Sequence, residues 1–296
     1  MDTTRRTAPV VLFDTYSLLF RAHHALPPMN TSSGEPTSAL YGFATQLIKI
    51  LREKRPQGIA FAVDAPKATF RHERFASYKA HRDAAPSPLV HQLGRLRDLF
   101  TCLGVPVFCV PGFEADDVLA TLARERAGQG ATLVVSGDRD LLQLVTEEVQ
   151  VWFVGGRGQT PTLYDLAKVH ERFQLAPPAL PSYVALVGDA SDNLPGVAGV
   201  GPRTASRLIG EYGDVGALLA GLDGVKPEKL REALRASAEQ LRLNEELARL
   251  RCDVPLPDGP RAGSLDAEAL GRLRALFEEL EFKSLLPRLD GLAAPP

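Results

Sequence analysis

The sequence predicts an α/β fold: a mostly parallel central sheet flanked by helices, with a C-terminal all-helical subdomain that carries a helix–hairpin–helix. Three observations predict it. The unbroken apolar runs Pro9–Phe13 and Gly58–Val63 have the look of strands buried on both faces, and a helical pattern lies between them. A strand–helix–strand order favours parallel pairing. From about Tyr164 strand signals fade, and helical periodicity takes over.

Taken in order, the first run ends at Asp14. The next apolar positions, Leu40, Phe43, Leu47, Ile50 and Leu51, recur at helical period behind Thr37 or Ser38 as cap. The second run ends at Asp64. Lys67–Arg82 then holds five Lys/Arg and one acid, interleaved with Phe70, Phe75 and Tyr78. Rings plus a cationic track suit an unpaired nucleic-acid strand, and a solvated loop explains the same composition. A helix follows from about Ser87 to Leu103, then a strand at Val105–Val110. Ala131–Ser136 is a further strand, and G-D-R-D follows it with Asp138 and Asp140. Val149–Val154 is a further strand, and Gly155–Gln159 a turn. Pro177, Pro178 and Pro181 mark a boundary near residue 175. The expected division is an α/β part over 1–175, with a basic arch at about 67–90. A helical part over 176–290 and a frayed tail over 291–296 complete it. Leu270, Leu273, Leu276, Phe277 and Leu280 mark one helical face near the end.

Composition excludes several classes. No stretch approaches 18 consecutive apolar residues, so no membrane partner is expected. Arg5-Arg6 precedes too short an apolar run for an export signal. Cys102, Cys109 and Cys252 form no C-x-x-C, which suits reduced thiols and a cytoplasmic location. The net charge of −2 does not advertise a nucleic-acid binder. With a group of carboxylates set aside in a metal site, however, the remainder would be distinctly basic.

The carboxylates carry the chemistry. Gly112–Val118, G-F-E-A-D-D-V, places Glu114, Asp116 and Asp117 where a helix begins. A helix N-terminus favours negative charge, but one acid would serve as cap. Glu114 and Asp117 share a helical face, and Asp116 points elsewhere. Asp14, Asp64, Asp138 and Asp140 each follow a strand directly. In an open parallel sheet the carboxyl ends of the strands face one crevice, so these loops converge there. Each aspartate alone is explained by capping or turn-making; the recurrence is not. Crowded carboxylates repel and protonate unless cations hold them ionised. Oxygen-only ligands select Mg²⁺ or Mn²⁺ over zinc, and the number of acids implies two or more ions. Two ions about 4 Å apart suit in-line phosphoryl displacement.

Other motifs fail. G-V-A-G-V-G-P-R-T over Gly196–Thr204 has the glycines of a phosphate cradle but no G-K-[ST], and no strand is expected before it. A haloacid-dehalogenase-type phosphatase needs a second Asp two residues after Asp14, where Tyr16 stands. The glycine stretch reads instead as a tight turn between two helices. Pro202 opens the second, and Arg203 and Arg207 stand nearby.

The residues D-A-S-D-N-L-P-G-V-A-G-V-G-P-R-T-A, F-E-A-D-D-V-L-A, S-G-D-R-D-L and F-R-H-E-R-F-A-S-Y-K-A-H-R resemble the 5′-nuclease domain of bacterial DNA polymerase I, in the flap endonuclease superfamily. The resemblance covers about residues 9 to 290, and no polymerase portion follows, as in a stand-alone form or an excised domain. It implies a first metal held by Asp14, Asp64, Glu114 and Asp116, with Asp117 adjacent. A second would be held by Asp138, Asp140 and Asp192, with Asp189 close by. It implies catalytic roles for Arg21, Lys79 and Arg82 at the scissile phosphate, and DNA contacts from Tyr78 and Arg71. Gly196, Gly199, Val200, Gly201, Arg203 and Thr204 would grip duplex DNA, with K⁺ at the helix–hairpin–helix. Thr15 and Phe20 depart from the family's usual glycine and tyrosine. The implied enzyme is a monomeric, metal-dependent 5′-3′ exonuclease and flap endonuclease acting on flapped, nicked or pseudo-Y DNA, with RNA–DNA hybrids as an extension. The alternative is a structure-specific DNA-binding protein without catalysis.

Overall fold

The computed structural model describes residues 8–256 and 265–292. Strands β1 (Val10–Asp14) and β2 (Gly58–Ala62) form at the two apolar runs, and every residue of both is buried. With β3 (Val107–Phe108), β4 (Thr132–Ser136), β5 (Val149–Phe153) and β6 (Thr162–Tyr164) they build one sheet, ordered β3-β2-β1-β4-β5-β6. Neighbours pair in parallel except β6, which runs antiparallel to β5. The expected Val105–Val110 strand shrinks to two residues, with Pro106, which has no N–H to give a ladder, just before it.

Helices α1 (Thr15–Ala25), α2 (Ser38–Lys54), α3 (Phe70–Arg74), α4 (Ser87–Leu103) and α5 (Ala115–Glu125) lie between the strands. The period-2 alternation of a strand divides them. Val11 and Phe13 face a core shared with α1, α2 and α4, whereas Val10 and Leu12 face α5. Phe13 stacks on Phe61 across β1 and β2 at 5.1 Å. Chain order reverses at β1, since β2 lies on one side and β4 on the other. That reversal opens a crevice at the strands' carboxyl ends, the edge where Asp14 ends β1 and Asp138 follows β4.

Beyond β6 come α6 (Leu166–Phe173), α7 (Leu180–Val187), the minimal hairpin β7 (Gly188–Asp189) and β8 (Leu194–Pro195), and α8 (Pro202–Tyr212). A two-residue strand therefore does precede the glycine stretch. Helices α9 (Val215–Ala220), α10 (Glu228–Ala236) and α11 (Ala238–Ala248) complete a third core, with Leu186, Leu208, Leu218 and Leu241 inside it. The buried Asn244 amide donates to Ala185 O at 3.2 Å and Pro195 O at 2.8 Å, tying α11 to α7 and the hairpin.

The expected grouping of 176–290 as one helical part needs correction. Helix α12 (Ala267–Glu279) and α13 (Leu286–Leu289) return to the first core. The stripe Leu273, Leu276, Phe277 and Leu280 packs with Leu89, Leu96, Leu99 and Leu103 of α4. Each such buried side chain contributes about 1.5–3 kcal/mol, and α4 supplies the apolar partner surface. Of the expected tail, residues 293–296 lie outside the described residues, as do 257–264 of the expected helical stretch.

Candidate metal centre

Asp14 is both the last residue of β1 and the N-cap of α1. One carboxylate oxygen accepts from Ser17 N at 3.3 Å, and the other accepts from the Ser136 hydroxyl. Capping and a role in the crevice therefore coexist. Ser136 Oγ in turn accepts from Asp138 N at 2.8 Å, and Asp138 Oδ1 accepts from Asp140 N at 3.0 Å. The end of β4 thus fixes Asp138 and Asp140 beside Asp14, and Asp140 opens the 3-10 turn Asp140–Leu144. Asp64 Oδ1 accepts from Ala115 N at 2.8 Å, which locks the β2 exit to the start of α5.

The acids feel one another. Burial first, then Asp14, Asp138 and Asp64, push Asp116 well above the ordinary carboxylate range. Burial, then Asp138, Asp192 and Asp189, do the same to Asp140. Burial lifts Asp14 to about 7, with Asp64 and Asp138 adding to it and the Ser136 hydrogen bond opposing. Asp64 stands at the exposed mouth yet is also raised, by burial and then by Glu114. Burial raises Asp192 too, against Lys79 and Tyr78. Asp189 accepts from Ser191 N at 2.7 Å and Ser191 Oγ at 2.6 Å through one oxygen. Segments far apart in sequence thus bring acids to one crevice.

Basic groups meet them there. Lys79, held in the left-handed region at φ 53°, places Nζ 3.0 Å from both Glu114 oxygens and 3.8 Å from Asp192. Burial would raise Glu114, but Lys79 and Arg71 overcome it and hold the carboxyl below its ordinary value. Arg82 donates to Asp192 at 2.9 Å and to Ser191 O at 3.1 Å. Arg21 donates to Gly137 O and lies over the Phe153 ring at 5.3 Å. A Cβ on Gly137 would stand 1.8 Å from Arg21 Nε, so only glycine leaves room for that guanidinium.

A hard cation fits this donor set: carboxylate oxygens only, buried, mutually repelling and accordingly proton-hungry without a counterion. Among the described residues no three His, Cys, Asp or Glu side chains close on a single ion point. The Lys79 ammonium meets part of the charge of these acids, at Glu114 and Asp192.

Four expectations change. Asp117 is fully buried and its oxygens are engaged elsewhere. It takes the Arg71 fork at 2.6 and 2.8 Å, Glu114 N at 3.2 Å and Arg251 N at 2.9 Å. It is thus a structural ion-pair partner, turned away from the crevice. Arg71, 1% exposed, also donates to Leu247 O at 2.8 Å and reaches no surface where DNA could lie. Tyr78, 2% exposed, has its ring in the interior, and its hydroxyl donates to Asp192 at 2.7 Å and reaches Glu114 at 3.1 Å. Val200 packs in the third core, and its N–H is spent on Val197 O. Gly196, Gly199, Gly201 and Arg203 are exposed and Thr204 half-buried, around the start of α8. Gly196 and Gly188 are in close backbone approach: a Cβ on Gly188 would lie 2.4 Å from Gly196 N. The basic arch is in part helix α3, folded against the crevice. Ser136, Ser17 and Gly137 were missed by sequence reasoning, although S-x-D directly after a strand was a usable signal.

Of the two departures, Thr15 is buried with Oγ1 unpartnered, and Phe20 packs against the first core.

Comparison with known proteins agrees with this architecture. Residues 9–174 match the model of the 5′-3′ exonuclease N-terminal resolvase-like domain, and residues 175–268 that of the 5′-3′ exonuclease C-terminal SAM fold. The thermostable DNA polymerase I of Thermus thermophilus is 43% identical over 288 residues, 97% of this chain and 34% of that protein. The chain thus spans about a third of the length of such relatives. A bacteriophage T5 protein co-crystallised with metal ions superposes with TM-score 0.68 at 22% identity, covering 96% of this chain and 99% of that one. The T5 flap endonuclease complex with DNA and metal ions gives 0.66 at 22% identity, with the same coverage of each. At that identity the likeness shows the fold. No described helix is long and apolar enough to cross a membrane. With both family models matched across most of its length, the chain belongs to the 5′-3′ exonuclease family.

Proposed function

We propose that the chain is a metal-dependent 5′-nuclease that hydrolyses phosphodiester bonds in flapped, nicked or pseudo-Y DNA, by exonucleolytic and flap cleavage, during replication and repair. The observation that carries this is the convergence of Asp14, Asp64, Asp116 and Asp140, each pushed up in part by neighbouring acids, with Asp138 beside them at the reversal point of the sheet. Family membership supports it. The T5 relative's complex with DNA and metal ions supports both the substrate class and the cation requirement.

In this reading Asp14, Asp64, Glu114 and Asp116 hold one divalent cation, Mg²⁺ or Mn²⁺. Asp138, Asp140 and Asp192, with Asp189 close by, hold a second. Bound there, hard cations supply charge neutralisation and a more acidic water. The chain's own residues do the rest. Lys79 and Arg82 approach from one side and Arg21 from the other, so that cationic donors face the non-bridging oxygens as negative charge develops on them. The backbone around Gly196–Gly201 and the first N–H groups of α8, with Arg203 and Thr204 nearby, seat a phosphate of the duplex without reading sequence. A K⁺ ion shared with that phosphate suits the hairpin. RNA primers in RNA–DNA hybrids are removed by the same activity, the enzyme acts as a monomer, and its unpaired cysteines suit the cytoplasm.

A labelled 5′-flap duplex with Mg²⁺, with and without EDTA, tests the reading. One defined product that vanishes with EDTA, and with Asp140→Ala while Ca²⁺-supported binding persists, is expected. Tight flap binding with no cleavage under any divalent cation would instead leave a DNA-binding protein.

A further inference from the structure

Beside the carboxylate crevice lies a cavity of about 460 Å³, within the span of about 300–1,000 Å³ usual for ligand sites. Its lining includes Asp140 and Asp189 of the carboxylate crevice and Pro202 at the start of α8. Phe173 and Tyr183, edge to face at 5.4 Å, form an aromatic wall. Arg139 and Arg172 stand at the rim. Both are exposed, and among the described residues neither is paired with a carboxylate. Arg139 leans over the Phe153 ring at 5.9 Å, and Arg172 over Phe173 at 5.3 Å. Arg172 also donates to the Tyr164 hydroxyl at 2.8 Å, which fixes its head at the cavity mouth. Nothing in the catalytic reading uses Arg139, Arg172, Phe173 or Tyr183.

Two guanidiniums without a carboxylate partner, at the rim of a cavity with an aromatic wall, match a nucleotide: the forks meet phosphate oxygens, and the rings meet sugar or base. The occupant must also run into a carboxylate crevice at one end and toward the hairpin at the other. A free small anion fills neither requirement, whereas a strand of the bound duplex fills both. Resting on the nuclease reading above, we propose that this cavity is a subsite for the nucleotide flanking the cleaved bond on the duplex side. Arg139 and Arg172 clamp its phosphate and thereby set where the strand enters the crevice.

The test places one neutral methylphosphonate at successive linkages on each side of the cleavage point in a labelled flap duplex. Binding is read by anisotropy in Ca²⁺ and cleavage in Mg²⁺, for wild type, Arg139→Gln, Arg172→Gln and Arg172→Lys. Wild type is expected to lose about tenfold in affinity at one linkage within two nucleotides on the duplex side. Arg139→Gln and Arg172→Gln bind the all-phosphate duplex correspondingly weaker and become indifferent to that neutral linkage, with a salt slope lower by about one. They also spread cleavage over neighbouring bonds. Arg172→Lys retains part of the sensitivity. The melting temperature of each variant separates lost packing at Tyr164 from lost phosphate contact. Equal sensitivity of wild type and both glutamine variants, or competition by millimolar free phosphate without any linkage effect, overturns the subsite and leaves the nuclease reading intact. Failure of wild type to bind or cut the unmodified flap sinks that reading instead.

Discussion

Lys79 Nζ stands 3.0 Å from each carboxylate oxygen of Glu114 and 3.8 Å from Asp192, among acids whose charges would otherwise repel. The same ammonium lowers the proton affinity of Asp64, Asp116 and Asp140. It therefore serves as an internal counterion and stands ready to face a phosphate. Lys79→Met is expected to cut single-turnover cleavage by about 10²–10³-fold, as loss of a preorganised charge donor does. Flap affinity in Ca²⁺ should change less than tenfold. Unchanged turnover would remove Lys79 from the chemistry.

Asp116 and Asp117 are neighbours in sequence with opposite expected phenotypes. Asp117→Ala leaves Arg71 charged and buried without its fork partner, and should cost about 3–5 kcal/mol in a urea melt. Asp116→Asn removes one member of a repelling cluster. It should leave metal-free stability level or higher while abolishing Mg²⁺-dependent cleavage. Equal melting behaviour of the two variants contradicts the assignment.

Acid and base work in an unusual sense on the metal-free chain. Burial pushes Asp14 up from an ordinary 3.8 to about 7 in the folded chain, and Asp116 and Asp140 are raised as well. Between those values the folded state holds protons that the unfolded state has released, so stability falls as pH climbs through that window. In EDTA the melting temperature should drop by several degrees between about pH 5 and pH 8, and millimolar Mg²⁺ should restore it most at the upper end. A melting temperature that rises with pH in EDTA would show the carboxylates unstrained.

Two glycines separate fold from function. The nearest atoms a Cβ on Gly137 would meet are side-chain atoms of Arg21 and Ser17, so Gly137→Ala is expected to displace the guanidinium and leave the sheet in place. Cleavage should fall about as far as in Arg21→Ala, with a near-native melt. Gly188, at φ 79°, would press a Cβ against the backbone of Gly196 and Leu194. Gly188→Ala should therefore destabilise the β7–β8 hairpin and weaken duplex binding.

Much of this was legible in the chain. The buried runs at β1, β2 and β4, the alternating strand β5, the helix Ser87–Leu103 and the start of α5 at Glu114 all follow from local pattern, because apolar period and capping are local properties. The acids at the strand ends were legible for the same reason. Arg71 and Tyr78 were not: an exposed basic track and a buried fork have the same composition. The partner that buries Arg71 lies 46 residues away. Asp117 is turned inward by that same pair. The return of α12 to α4 depends on which apolar surface is left uncovered, and periodicity shows a stripe without naming its partner. β6 is too short to carry a pattern of its own.

The most direct measurement is the stoichiometry of Mn²⁺ binding, followed by calorimetry or by electron paramagnetic resonance, in wild type, Asp14→Asn and Asp140→Asn. Two or more Mn²⁺ per chain, with at least one site lost or sharply weakened in each variant, is the predicted result. Stoichiometry and affinity untouched by both substitutions would mean that these distant aspartates do not form one cation-holding centre.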